Sequence, residues 1–161
     1  MRRRESAADA GPDSPEALKA RALRLLAGRE HSRAELRRKL AARAGSAEAL
    51  EALLDALEAN KQLSDDRYAE ARARQLARKY GAARIRQDLK AKGVGEGLVE
   101  RVTAEGELER ARAILARKYR TPATTPRERA RRMRFLQSRG YSFETIRALL
   151  SSAADDDALS P

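Results

Sequence analysis

Three stretches of this chain echo one another: RAELRRKLAARAGS (33–46), ARIRQDLKAKGVG (83–95) and RARRMRFLQSRGYS (129–142). Each is a basic, amphipathic segment that stops at a glycine and gives way at once to a second apolar segment. Gly45, Gly93 and Gly140 are spaced by 48 and 47 residues. A period of that length marks stacked small helical units, whose working surface is an extended face rather than one pocket. Binding is therefore favoured over catalysis from the outset.

Working outward, the helix signals repeat. Ser14-Pro15-Glu16 starts a helix with Ser as N-cap and Pro at the first helical position, and Leu18, Ala22, Leu25 and Leu26 form its stripe. Ser32 to Glu35 reads as a capping box ahead of Leu36 and Leu40. From Ala47, Leu50, Leu53, Leu54 and Leu57 recur at helical spacing. The second set opens at Ser64-Asp65-Asp66, with Ala69, Ala73, Leu76 and Tyr80 inward and Gly81 as its stop. Ile85 and Leu89 follow, then Gly93 as a C-cap, then Leu98, Val99 and Val102. The third set has Leu108, Ala111, Leu115 and Tyr119, a break at TPATTP (121–126), and a second capping box from Thr125 to Glu128. Met133 and Leu136, then Phe143, Ile146 and Leu150, complete it. No alternating strand pattern appears, and no proline falls between Ala17 and Thr121. The fold class is all-α: three tandem three-helix repeats in an elongated, curved array with its basic charge along one side. The expected boundaries are a disordered arm at 1–13, repeats at 14–63, 64–105 and 106–150, and an acidic disordered tail at 151–161.

Composition narrows the function. The net charge is +11, from 35 basic and 24 acidic residues, which points to a partner dense in negative charge. The charge is segregated. Residues 66–92 hold nine basic and three acidic residues, 110–126 five basic and no acidic, and 127–139 six arginines and one glutamate. By contrast, 46–59 hold four acids and no base, and 93–109 five acids against Arg101. Basic first and second helices thus alternate with acidic third ones. The candidate contacts in the middle repeat are Arg72, Arg74, Arg78, Lys79, Arg84, Arg86, Lys90 and Lys92. In the last repeat they are Arg127, Arg131, Arg132, Arg134 and Arg139. Guanidinium groups pair with phosphates and with carboxylates alike, so some of these arginines are expected to bridge to the acidic third helices.

Catalysis has little to stand on. His31 is the single histidine and sits at a helix–helix turn. Asp65, Asp66 and Glu70 fit helix N-terminal acids better than a metal pair. Gly93-Val94-Gly95-Glu96-Gly97 superficially resembles a phosphate loop but lacks the preceding strand and the Lys-Ser/Thr sequel. Tyr68, Tyr80 and Tyr119 read as core or half-buried, and Tyr141 and Phe143 as pins for the last helix turn. Cys is absent, which removes disulfides and thiolate metal sites and fits a reducing cytoplasm. Neither a signal peptide nor a membrane-spanning run is expected. Neither a metal nor a cofactor is called for.

Three motifs in order carry a family resemblance: SxxEL (Ser32 to Leu36), DxRYA with KYGxxRIxQDLxxKGV (Asp65 to Val94), and RRxRFLxxRGYSxxTIxxLL (Arg131 to Leu150). Together they resemble the RecX family of regulatory proteins over about residues 17 to 150. The resemblance implies an all-helical protein of three tandem three-helix repeats that binds the RecA recombinase and its filament on single-stranded DNA; a non-enzymatic, cytoplasmic, monomeric protein is expected. It implies inhibition of filament growth, strand exchange, ATP hydrolysis and co-protease activity, within DNA repair, recombination and the SOS response. Single- and double-stranded DNA are expected as further partners. The alternative is a stand-alone DNA-binding protein of helix-turn-helix type, for which Gln87 is the one tempting base reader. The chain departs from the family pattern in its longer polar N-terminal arm, one extra residue between Leu40 and Gly45, and the acidic tail.

Overall fold

The computed structural model describes residues 11–156, and among these every regular element is helical. The remainder of the expected N-terminal arm and acidic tail lies outside the described residues. The helices are α1 (Pro15–Gly28), α2 (Arg33–Leu40), α3 (Ala47–Ala59), α4 (Asp65–Ala77), α5 (Ala82–Ala91), α6 (Glu96–Thr103), α7 (Glu107–Lys118), α8 (Pro126–Ser138) and α9 (Phe143–Asp156). They form three successive groups of three. Two compact units divide after Tyr68, within the first turn of α4.

In the first unit, helix starts follow local chemistry. Ser14, Ser32 and Ser46 accept from the amides of Ala17, Glu35 and Ala49 at 3.2, 3.1 and 3.0 Å, satisfying N–H groups that have no partner inside the helix. The core is leucine-built, with Leu18, Leu36, Leu40, Leu50, Leu54, Leu57 and Leu63 closing over Ala22. Fully burying a leucine contributes about 1.5–3 kcal/mol, so these residues dominate the stability of the unit. Between α1 and α2, His31 is buried. Its Nδ1 lies 3.0 Å from the Arg29 carbonyl and its Nε2 3.0 Å from the Lys39 ammonium. Since an ammonium can only donate, Nδ1 carries the proton, and burial holds the ring below its ordinary pKa. His31 is a neutral part of the turn.

Three sequence expectations are corrected here. The Ser32–Glu35 box forms only on the serine side. The Glu35 carboxylate instead takes both terminal nitrogens of Arg29, at 3.0 and 2.5 Å, and those hydrogen bonds hold its pKa at about 2. Gly45 is not an αL helix stop: α2 ends at Leu40 and a 3₁₀ turn, Ala41–Arg43, uses up the extra residue before Gly45. Asp13, placed with the arm, is pinned into the fold: its carboxylate accepts from Arg21 at 2.8 Å and from Arg43 at 2.6 Å.

The one non-glycine residue with positive φ among the described residues is Lys61, at φ 57°, just past α3. The left-handed conformation costs an L-residue about 1 kcal/mol that glycine does not incur. Lys61→Gly is expected to stabilise the protein by about 0.5–1 kcal/mol, read as a rise of a few degrees in thermal midpoint by circular dichroism. A fall in midpoint would show that the lysine side chain contributes more than its backbone costs.

The second unit carries the later part of α4 and the helices α5 to α9. Ala73, Ile85, Leu89, Val94 and Val99 are buried in the middle repeat. Ile114, Leu115, Leu136, Tyr141, Ile146 and Leu149 pack around Ala111 in the last. Gly93 and Gly140 do adopt positive φ, 76° and 82°, as helix stops. The Thr125 box forms in full: Thr125 Oγ1 accepts from the Glu128 amide and Glu128 Oε2 from the Thr125 amide, both at 3.2 Å. Helix α9 continues to Asp156 rather than stopping at Leu150; the sequence offers no glycine or proline to end it before Pro161.

The two repeats of this unit meet at a backbone joint. The Gly81 amide donates to the Arg139 carbonyl at 2.8 Å and the Ala83 amide to the Gly140 carbonyl at 3.2 Å. Beneath them, Glu107 serves two helices at once. Its Oε1 accepts from the Ala82 amide (3.0 Å) and the Ser142 amide (3.3 Å), and its Oε2 from the hydroxyls of Ser142 (2.7 Å) and Thr145 (2.6 Å). Gly81 is therefore a contact residue of the joint and the N-cap of α5, whereas α4 already ends at Ala77.

Candidate functional site

The basic residues singled out by sequence separate into those the fold engages and those it leaves outward. Arg72 forms a two-point pair with Asp88, both contacts at 2.8 Å, and a third bond to Gln75, tying α4 to α5. Arg86 lies 3.2 Å from Glu100, and Lys90 2.8 Å from Glu96. These are the bridges to the acidic third helix. Lys92 is half-buried, with its charge near Asp88. Arg132 donates to the Thr121 carbonyl at 2.6 Å and lies over the Tyr119 ring. Arg74 is exposed beside Arg101 and Arg110 in a small cleft of about 290 Å³. Arg127, Arg131 and Arg134 are exposed, with no ionic partner among the described residues. Their spacing of four and three residues sets them along one face of α8, opposite the buried Leu136.

The remaining candidates, Arg78, Lys79, Arg84 and Arg139, gather where the two repeats of the second unit meet. A cleft of about 540 Å³ opens there, and its cations are Arg78, Lys79, Arg117, Lys118 and Arg139. Its floor is Tyr80, Ile114 and Phe135, and no carboxylate lines it. Three helices end at this point: α4 just before Arg78, α7 at Lys118 and α8 just before Arg139. Basic residues in a last turn are favoured by the partial negative charge of the free carbonyls. That local rule brings them here from three separate parts of the chain.

The rings organise the cations. The guanidinium carbon of Arg139 stands 5.8 Å from the Tyr80 centroid and 5.3 Å from that of Phe135. Arg84 covers Tyr80 at 5.4 Å, and the Lys118 ammonium covers Phe135 at 4.7 Å. Tyr119 meets Phe135 edge to face at 6.1 Å. Cation–ring contacts of this kind contribute about 0.5–1 kcal/mol each at exposed sites, enough to bias long side chains toward one arrangement. Arg117 is steadied by its bond to the Arg78 carbonyl at 2.7 Å. The cleft is thus a preformed cluster of positive charge on an aromatic ledge.

Arg117, Lys118 and the two rings were not among the sequence candidates. Their signal was present as the acid-free run 110–126, but nothing local places Lys118 beside Lys79. The expectation for Tyr80 and Tyr119 as half-buried rings holds, and Tyr141 is buried as a pin. Phe143 does not pin the turn: it is 64% exposed, because its position at the start of α9 faces away from the Tyr141 core.

Comparison with known proteins gives the same architecture. The family models for the first, second and third three-helix domains of RecX match residues 19–57, 64–102 and 105–150. The regulatory protein RecX of Ralstonia nicotianae is 43% identical over 145 residues, covering 88% of this chain and 91% of that protein. That of Leptothrix cholodnii is 46% identical over 139 residues, covering 84% and 88%. The crystal structure of RecX from Lactobacillus salivarius superposes with a TM-score of 0.75 at 19% identity, covering 87% of this chain and 96% of that one; this likeness speaks to the fold alone. With all three helical domains matched in order and close relatives aligned over most of its length, the chain belongs to the RecX family of regulatory proteins.

Proposed function

We propose that the protein is a regulator of the RecA recombinase. It binds RecA and its filament on single-stranded DNA in the cytoplasm, as a monomer, and inhibits filament growth, strand exchange, ATP hydrolysis and co-protease activity. Its setting is DNA repair, recombination and the SOS response. Membership of the RecX family over all three repeats carries this reading. The outward arginines of α8 and the cation cleft support it, since a filament on DNA offers both phosphates and acidic side chains. The proposed basic face comprises the outward and cleft residues; Arg72, Arg86 and Lys90 act in it only indirectly, by fixing α4, α5 and α6.

The test is the DNA-dependent ATPase of the cognate RecA at saturating single-stranded DNA. The protein is titrated in at well below one molecule per RecA. ATP hydrolysis is expected to fall at such ratios, because so few molecules cannot sequester the DNA. Unchanged hydrolysis together with tight binding to naked DNA would overturn the reading in favour of a stand-alone DNA-binding protein.

A further inference from the structure

The geometry points to the cleft at the joint of the last two repeats as a single-strand nucleotide site: phosphates held by Lys79, Arg117 and Lys118, and a base stacked against the Arg139–Phe135 platform. This deepens the regulator reading and rests on it for the biological setting. Three features carry it. The cleft concentrates five cations with no carboxylate on its lining, so an anion entering it meets no repulsion and no internal competitor. Its volume, about 540 Å³, is of the size that takes a nucleotide. A base in a duplex is already stacked and paired, whereas an unpaired base has a face free for the platform, which favours a single strand. The cations also lie on ring faces, with Arg139 spanning Tyr80 and Phe135. A planar guanidinium on an aromatic ring extends the stack outward, and every nucleobase has a flat face to continue it. An acidic peptide would use the charges but has no use for that platform, so a nucleic-acid strand is favoured over an acidic protein segment. The outward row Arg127, Arg131 and Arg134 on α8 spans about 10 Å at 1.5 Å per residue. It gives the strand a route beyond the cleft.

The test uses the full-length protein and no recombinase, so its failure is distinguishable from failure of the ATPase experiment. Binding of a fluorescent oligothymidylate is followed by anisotropy across a salt series. The double charge reversal Lys79→Glu/Lys118→Glu is expected to weaken binding about tenfold or more at ~0.1 M salt and to reduce the log–log salt slope by about 1.4, the value for two single-strand phosphates. Arg24→Glu/Arg38→Glu makes the same change of net charge at two exposed positions of the first unit and is expected to change affinity less than about threefold. Both variants alter surface residues, and matching circular-dichroism spectra verify their folding. The unmodified protein is expected to bind oligothymidylate at least about fivefold more tightly than an abasic strand of equal length, as one stacked base requires. Equal losses in the two double variants would overturn the site. Equal affinity for the abasic strand would overturn the base platform. Displacement of the oligonucleotide by polyglutamate at equal charge concentration would reassign the cleft to an acidic protein segment.

Discussion

Gly81→Ala is expected to lower the thermal midpoint of the second unit by about 12–40 °C. A Cβ at position 81 would lie 2.4 Å from the Gly140 carbonyl oxygen and 2.5 Å from the Tyr141 nitrogen. Both are backbone atoms that no rotamer change can move aside. Relief requires the two repeats to part, which breaks the Gly81–Arg139 and Ala83–Gly140 hydrogen bonds and loosens the contacts around Tyr141. Overpacking of about 1–3 kcal/mol plus two lost backbone bonds of about 1 kcal/mol each gives about 3–5 kcal/mol. At 4–8 °C per kcal/mol for a domain of this size, the midpoint shift follows. Gly97→Ala is the matched control: nothing lies within 4 Å of its Cβ position in α6, and alanine there favours the helix by up to about 1 kcal/mol. Melting curves of both variants, followed at the helical circular-dichroism band, decide it. If Gly81→Ala melts with the parent protein, the close approach of the two backbones is not a feature of the folded molecule.

The second large effect concerns Glu107. Burial pushes its pKa up, but the hydroxyls of Thr145 and Ser142 and the amides of Ala82 and Ser142 all donate to the ionised form. They hold it below its ordinary value of 4.5. Glu107→Ala leaves four donors without their acceptor at a half-buried site, and an expected loss of about 2–4 kcal/mol follows. Glu107→Gln keeps the shape and loses the charge, at an expected cost of about 1–2 kcal/mol. The sign of the pH dependence is fixed by the direction of the shift. Because the folded-state pKa is depressed, the ionised carboxylate contributes stability above the unfolded value of 4.5. That contribution is lost as pH falls toward the folded value. Urea unfolding at pH 7 and at successively lower pH should therefore show a gap between the parent and Glu107→Gln that narrows as the pH falls below 4.5. A gap independent of pH would assign Glu107 a packing role only.

Both effects bear on the proposed site, because the joint they test positions the cleft. Arg139, whose carbonyl accepts from Gly81, also carries its guanidinium over Tyr80 and Phe135. Loosening the joint would move Arg78 and Lys79 away from Arg117 and Lys118. Stability of the second unit and the arrangement of its cations are thus linked through the same few backbone atoms.

The amino-acid sequence by itself determined the helices and their grouping in threes. That information is local: Ser14, Ser32, Ser46, Ser64 and Thr125 start helices by accepting from amides three residues on, and Gly93 and Gly140 end them by adopting a backbone that other residues disfavour. It failed where an equally local alternative won through a tertiary partner. Glu35 preferred the Arg29 guanidinium to its own helix start, a 3₁₀ turn displaced the stop expected at Gly45, and Asp13 found two arginines. The list of basic candidates was legible as composition, but their division was not. Arg72, Arg86 and Lys90 face carboxylates of the same repeat, whereas Arg78, Lys79 and Arg139 face the cleft, and spacing alone does not tell one from the other. The cleft itself was decided only by the tertiary structure. Lys79 and Lys118 are 39 positions apart and share no periodicity. They meet because two glycines let the backbones of neighbouring repeats touch and three helices end at one place.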